Sequence, residues 1–97
     1  MARVIYSAEA LADLERIVEF LLEASPKTAG AALEQIRSAV SILGAHPRIG
    51  RRVDLQRREL VITHGASGYL ALYRHDVKLD VVRIVRIRHQ REAGYRD

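Results

Sequence analysis

The chemistry-bearing residues of this sequence gather near its C-terminal end. His89 supplies the imidazole there, the side-chain type most often used for proton transfer. Arg83, Arg86, Arg88 and Arg91 lie around it in sequence, and Tyr95 follows. An imidazole beside guanidinium groups and a phenol can support phosphodiester chemistry: a proton-transfer group, cations for a charged transition state and a second donor. The plainer role of a His at a strand end among arginines is a hydrogen-bonding surface residue. Tyr95 lies outside the strand pattern and can equally act as an anchor that folds back. A second basic group, His46-Pro47-Arg48-Ile49-Gly50-Arg51, precedes these by about half the chain. His46 reads as a helix-end residue, His64 as a neighbour of a turn, and His75 as part of one.

Other chemistries are missing their residues. There is no Cys, which excludes disulfides, thiolate nucleophiles and zinc–thiolate sites. The four histidines have no helical metal-ligand spacing, so no metal and no cofactor is expected. No Gly-rich phosphate loop or nucleophile elbow is present.

The elements that must position these residues follow from periodicity. Val4-Ile5-Tyr6 marks a short strand at about residues 2–6. Ser7 caps a helix over about residues 8–24, with Glu9 in its first turn. Its apolar stripe is Leu11, Leu14, Ile17, Val18, Leu21 and Leu22, and Asp13, Glu15, Glu19 and Glu23 are assigned to the opposite face. Ser25-Pro26 restarts a second helix carrying Ala29, Ala32, Leu33, Ile36, Val40 and Leu43, stopped by Gly44 and Pro47. Leu60 to Thr63 and Tyr69 to Tyr73 read as strands separated by a turn at Gly65–Gly68. His75-Asp76 reads as the next turn. Leu79 to Ile87 reads as the longest strand, with five β-branched residues among nine. Tyr69 and Tyr73, four apart on a strand, share a face and suit core or rim packing.

Short connections imply an antiparallel meander, and two helices with apolar stripes must cover one face of it. The expected architecture is α+β: a short N-terminal strand, an antiparallel two-helix hairpin and a mainly antiparallel sheet, in the order β-α-α-β-β-β. The 97 residues suit a single domain over 1–97. The expected core is Leu14, Ile17, Leu21, Leu33, Ile36 and Val40 from the helices, with Ile62, Leu72, Val82 and Ile84 from the sheet.

Charge is divided unevenly. Residues 1–45 hold four basic and six acidic residues, whereas residues 46–97 hold twelve and six. The second half therefore suits an anionic partner or simply a solvated Arg-rich surface. No run approaches the roughly 18 apolar residues of a membrane span. No targeting pattern is visible, so a cytoplasmic protein with no membrane partner is expected.

The order and spacing of four segments carry a family resemblance. They are His46 to Arg51, Arg58-Glu59-Leu60-Val61-Ile62, Gly68-Tyr69-Leu70-Ala71-Leu72-Tyr73-Arg74, and Val82 through Glu92 with its basic exit. Together they resemble the RelE/ParE superfamily of bacterial type II toxin–antitoxin toxins, over nearly the whole chain. That resemblance implies a small acidic ParD-like antitoxin as partner and a role in plasmid stabilization. It also implies one of two activities. RelE-like members are ribosome-dependent mRNA endoribonucleases, and in RelE lysines on the second strand and an arginine after the Gly-Tyr of the third supply much of the site. Here the second strand has no lysine, and Leu70 follows Gly68-Tyr69. The ending Arg88-His89-Gln90-Arg91-Glu92-Ala93-Gly94-Tyr95 resembles the ParE-like branch, which inhibits DNA gyrase.

The expectation is accordingly a ParE-like gyrase inhibitor without firm catalytic residues, acting through a basic surface of Arg48, Arg51, Arg83, Arg86, Arg88 and Arg91. The alternative is an endoribonuclease acting on mRNA at the ribosome, with His89, Arg91 and Tyr95 as its catalytic group. A further alternative is a non-catalytic nucleic-acid-binding module, disfavoured because no groove-reading helix carries the basic residues.

Overall fold

The computed structural model describes residues 1–64, 67–92, 94 and 95, with backbone only at His64 and Ser67. The turn expected at Gly65–Gly68 therefore lies partly outside the described residues. Among them the order is strand β1 (Arg3–Tyr6), helix α1 (Ala8–Leu22), helix α2 (Pro26–Ser41), a 3₁₀ turn (Ile42–Gly44), and strands β2 (Arg51–Arg52), β3 (Arg58–His64), β4 (Ser67–Asp76) and β5 (Val81–His89). This is the expected α+β architecture, with β2 as a short addition where a basic loop was expected.

Both helix starts form as their cap residues dictate. Ser7 Oγ accepts from the Ala10 amide at 3.0 Å, and Ser25 Oγ from the Thr28 amide at 3.0 Å. Each satisfies an amide that the first turn leaves without a partner. Pro26 stands at the start of α2, where its missing N–H costs nothing. No described helix is long and apolar enough to cross a membrane.

The sheet order is β1-β5-β4-β3-β2. Neighbours are antiparallel except β1 and β5, which run parallel from Arg3 beside Val81 to Tyr6 beside Ile84. The two helices cover one face. Ala10, Leu14, Ile17, Ala32, Ile36, Val40 and Leu43 meet Ile62, Tyr69, Ala71, Tyr73, Val82, Ile84 and Ile87 there. Leu21 and Leu33 pack at the margin of this core.

Several expectations are corrected. Leu11 and Leu22 are exposed, because the face turned to the sheet is Ala10, Leu14, Ile17 and Leu21. Asp13 is only 4% exposed. It lies three residues from Ala10 and four from Ile17, inside the buried arc rather than opposite it. Leu72 is buried on the other face of the sheet from the helices. His75 and Asp76 extend β4, and the turn comes after them. Leu79 belongs to that turn and is exposed, while Asp80 takes a positive φ of 50°.

A register shift between Leu72 and Tyr73 decides which way the basic residues of β5 point. Tyr73 pairs with Ile84, but Leu72 pairs with Arg86, so Val85 is the extra residue of a bulge. With strict alternation, Arg86 and Arg88 would share the core face of Val82 and Ile84. The bulge instead puts Ile87 and His89 on the helix side and turns Arg86 and Arg88 to the open face.

Candidate functional site

The candidate residues lie on three surfaces. The first is the basic loop after the 3₁₀ turn. Tyr73, fully buried, donates its hydroxyl proton to the Pro47 carbonyl at 2.8 Å and accepts from the Gly50 amide at 2.9 Å. Arg58 Nη1 donates to the Arg48 and Gly50 carbonyls at 3.1 and 2.9 Å. A loop without regular structure is thereby held from both sides, and Arg48 is presented to solvent.

The second surface is a groove between the helix hairpin and the end of the sheet. Its volume is about 610 Å³. Ile17, Phe20, Leu21, Ala32 and Tyr69 make an apolar floor and wall, with Arg16, His89, Arg91 and Glu92 at the edge. Phe20 is largely exposed along this opening. The His89 ring meets Tyr69 edge-on, with centroids 5.4 Å apart. His89 Nδ1 accepts from the Arg91 amide at 3.0 Å, so the ring carries its proton on Nε2 in this arrangement. Glu92 holds the corner together: one carboxylate oxygen accepts from the His89 amide at 2.7 Å and the other from Arg16 Nη2 at 3.3 Å.

The third surface is the open face of the sheet, across which Tyr95 is laid. Glu59, Leu72 and Arg86 are neighbours in register on β3, β4 and β5, and Val61, Leu70 and Arg88 form the adjoining row. The Tyr95 hydroxyl donates to Glu59 at 2.7 Å. The guanidinium groups of Arg86 and Arg88 lie 5.8 and 5.2 Å from its ring centroid, within cation–π range. The phenol thus spans from β5 towards β3.

Arg51 donates to the other Glu59 oxygen from Nε at 3.1 Å and from Nη2 more closely. Burial alone would raise the Glu59 pKa. The hydrogen bonds from Arg51 and Tyr95, with the charges of Arg51 and Arg88, outweigh it, and the carboxyl is held below its ordinary value. The Tyr95 phenol is pushed far above its ordinary value, first by burial and then by its bond to Glu59 and that carboxylate's charge, with Arg88 opposing.

Arg86 is tied a second way. Beyond Tyr6 the edge of β5 is no longer paired with β1. Ser7 Oγ donates to the Val85 carbonyl at 2.8 Å, and Asp13 Oδ2 accepts from the Ile87 amide at 2.8 Å. Arg86 reaches round this edge and grips Asp13 with Nε at 2.8 Å and Nη2 at 3.1 Å. The α1 carboxylate therefore replaces a missing strand neighbour and neutralises a strand arginine together.

The expected site residues are thus divided. His89 and Arg91 stand together at the groove, and Tyr95 lies on the opposite face. Of the six arginines expected to form one basic surface, Arg51 is held by Glu59, Arg86 by Asp13, and Arg88 by Tyr95 and the Glu92 carbonyl. Arg48, Arg83 and Arg91 are in no ion pair among the described residues. Asp13, Glu59, Arg16 and Glu92 were not singled out in the sequence. Glu59 did offer a signal, as the one acid of β3.

Comparison with known proteins agrees with this architecture. Residues 4–94 match the family described as the ParE toxin of the type II toxin–antitoxin system parDE. Toxin RelE3 of Caulobacter vibrioides is 40% identical over 80 residues, covering 82% of this chain and 85% of that protein. Toxin RelE2 of the same organism is 35% identical over 89 residues, covering 92% and 96%. The chromosomal ParDE toxin–antitoxin system of P. aeruginosa contains a chain of the same fold, with TM-score 0.72, 24% identity and coverage of 92% and 96%. The toxin–antitoxin complex RelBE2 of Mycobacterium tuberculosis contains another, with TM-score 0.59, 25% identity and coverage of 94% and 93%. On the family match over nearly all of its length, this chain belongs to the ParE toxin family, a type II toxin–antitoxin toxin of the RelE/ParE superfamily.

Proposed function

We propose that this toxin inhibits DNA gyrase by surface recognition and is neutralised by a cognate acidic antitoxin. The observation that carries the reading is the division of the chemical groups. His89 and Tyr95 stand on opposite faces of the sheet, and Arg51, Arg86 and Arg88 are already engaged by Glu59, Asp13 and the Tyr95 ring. Cleavage of RNA needs its proton-transfer groups and its cation around one phosphate. β3 adds no lysine, and Leu70 is a buried apolar residue where the resemblance to RelE expects a cation.

An antitoxin partner is supported by the two similar solved structures, both of toxin–antitoxin systems. A disordered acidic segment can lay a helix along the groove and extend the sheet at an edge. Arg48 and Arg91, which no ion pair holds among the described residues, are the cations best placed to contact the target.

A second reading, ribosome-dependent mRNA cleavage, is favoured by the His89 ring beside Arg16 and Arg91 at the groove and by the RelE names of the two relatives. One pair of assays separates them. Wild-type protein is expected to block supercoiling and trap gyrase on cut DNA, and to leave mRNA intact on translating ribosomes. Charge reversal at Arg48 or Arg91 should weaken inhibition in a graded, salt-sensitive way. Ribosome-dependent cleavage by the wild type, abolished in His89→Ala, would overturn the gyrase reading.

A further inference from the structure

One pair of cations has no structural role in the network described above. Arg74 on β4 and Arg83 on β5 are direct cross-strand neighbours. Both project from the open face, since Tyr73, Val82 and Ile84 on either side of them point into the core. Like charges placed opposite each other on an antiparallel pair are destabilising. The arginines nearest in the sheet are engaged: Arg51 faces Glu59 across β2 and β3, Arg86 is taken by Asp13, and in the other opposed pair, Arg52 and Arg58, Arg58 donates to the Arg48 and Gly50 carbonyls. Among the described residues no carboxylate answers Arg74 or Arg83.

The surroundings add to the positive field. Arg3 lies on the same face of β1, two residues from Ile5, which is the register neighbour of Arg83. Lys78 follows in the β4–β5 turn. Neither is in an ion pair among the described residues. The nearby acids are engaged elsewhere: Arg57 binds Asp54 at 2.7 Å and the Gln56 and Arg57 amides donate to it, Asp76 accepts from the Leu79 amide at 3.1 Å, and Asp80 meets His75 at 3.2 Å. Arg74 stands between two shallow hollows, and Leu55 and Gln56 line both of them. Leu55 is 89% exposed, and Val77 beside the same cations is also exposed.

We infer that Arg74 and Arg83, flanked by Arg3 and Lys78, form a binding site for the phosphodiester backbone of a nucleic acid. A phosphodiester chain delivers successive single negative charges at each nucleotide, whatever its sequence, and guanidinium groups match its oxygens in a bidentate fork. The competing occupant is an acidic peptide segment such as that of the proposed antitoxin, whose carboxylates guanidinium groups also bind. The two hollows are more open than the groove beside His89 and are lined mostly by charged and polar residues, so they suit a backbone lying across the surface. The exposed Leu55 can cover a sugar or base edge. This inference stands apart from the choice between gyrase and ribosome and adds a contact to either.

The test is fluorescence anisotropy of the full chain with a short labelled single-stranded oligonucleotide, as DNA and as RNA, across a salt series, with polyglutamate as the competing ligand. Each phosphate contact contributes ~0.7 to the slope of log affinity against log salt for a single strand. Losing two contacts in the Arg74→Gln/Arg83→Gln variant should lower the slope by ~1.4, which is roughly a 25-fold loss of affinity at 0.1 M salt relative to 1 M. Folding is not at risk, because the substitutions remove a repulsion, and the variant should melt at or above the wild-type temperature. The Arg74→Lys/Arg83→Lys variant keeps the charges and should keep most of the slope. Absence of salt-dependent oligonucleotide binding, an unchanged slope in the glutamine variant, or tighter binding of polyglutamate through the same two arginines would each overturn the inference.

Discussion

Replacing Asp13 by Ala should be among the most damaging single substitutions in this protein, although Asp13 is a charged residue on a helix. Its carboxylate takes two hydrogen bonds from Arg86 and one from the Ile87 amide, and Arg16 Nη1 lies 3.5 Å away. Arg86 and the Ile87 amide lose their acceptor at once, while Arg16 keeps its bond to Glu92. The Ile87 amide is fully enclosed, at a residue with no exposed surface, and cannot turn to water instead. Removing one partner of a buried ion pair typically costs ~3–5 kcal/mol. The Arg86 side chain is 20% exposed, so some of its solvation returns, and the lower end, ~3 kcal/mol, is the better figure. For a domain of this size ~1 kcal/mol shifts the melting temperature by ~4–8 °C, so a drop of at least ~12 °C is expected. Asp13→Asn retains an acceptor for the amide and should lose only about half as much. Urea and thermal unfolding followed by circular dichroism give the energies, and hydrogen exchange reports on the Ile87 amide. If Asp13→Ala loses less than ~1 kcal/mol and the Ile87 amide stays protected, the carboxylate is not acting as a substitute strand neighbour, and the account of the β5 edge is wrong.

Two further perturbations bear on the basic loop and the open face. A Cβ at Gly50 would sit 2.6 Å from the Tyr73 hydroxyl and 2.9 Å from the Glu59 carbonyl, so Gly50→Ala should cost ~1–3 kcal/mol in a denaturant melt; an unchanged midpoint would mean the loop is not pinned there. The Glu59–Tyr95 pair should shape stability at both ends of the pH range. Glu59 is lowered in the folded state, so its contribution is present above the unfolded carboxyl value and is lost as pH falls through the folded one. Tyr95 is raised, so its contribution is present below the ordinary phenol value near pH 10 and fades as pH rises beyond it. Glu59→Gln should flatten the acid limb of a stability–pH profile and Tyr95→Phe the alkaline limb; profiles that superimpose on the wild type would refute the bond between them.

Much of the architecture was legible because it rests on local rules. Ser7 and Ser25-Pro26 mark helix starts through the amides they satisfy or spare. Leu14, Ile17, Ile36 and Val40 follow the helical repeat into the core. Tyr69 and Tyr73 share a face because strand side chains alternate. The α+β order follows from these elements and from short connections. What the local pattern could not carry is the assignment of charges. Asp13 reads as one more acid on a polar helix face, and it becomes buried only because β1 ends at Tyr6 and leaves the edge of β5 to be satisfied. Arg86 and Arg88 read as members of one strand with Val82 and Ile84, but a single extra residue at Val85 turns them to the other face. Tyr95 reads equally as a reactive phenol or an anchor, and its bond to Glu59, 36 positions away, is a product of the sheet's register. Periodicity sets which way an uninterrupted element faces; which carboxylate meets which guanidinium depends on where strands end and where they bulge, and those are decided between elements.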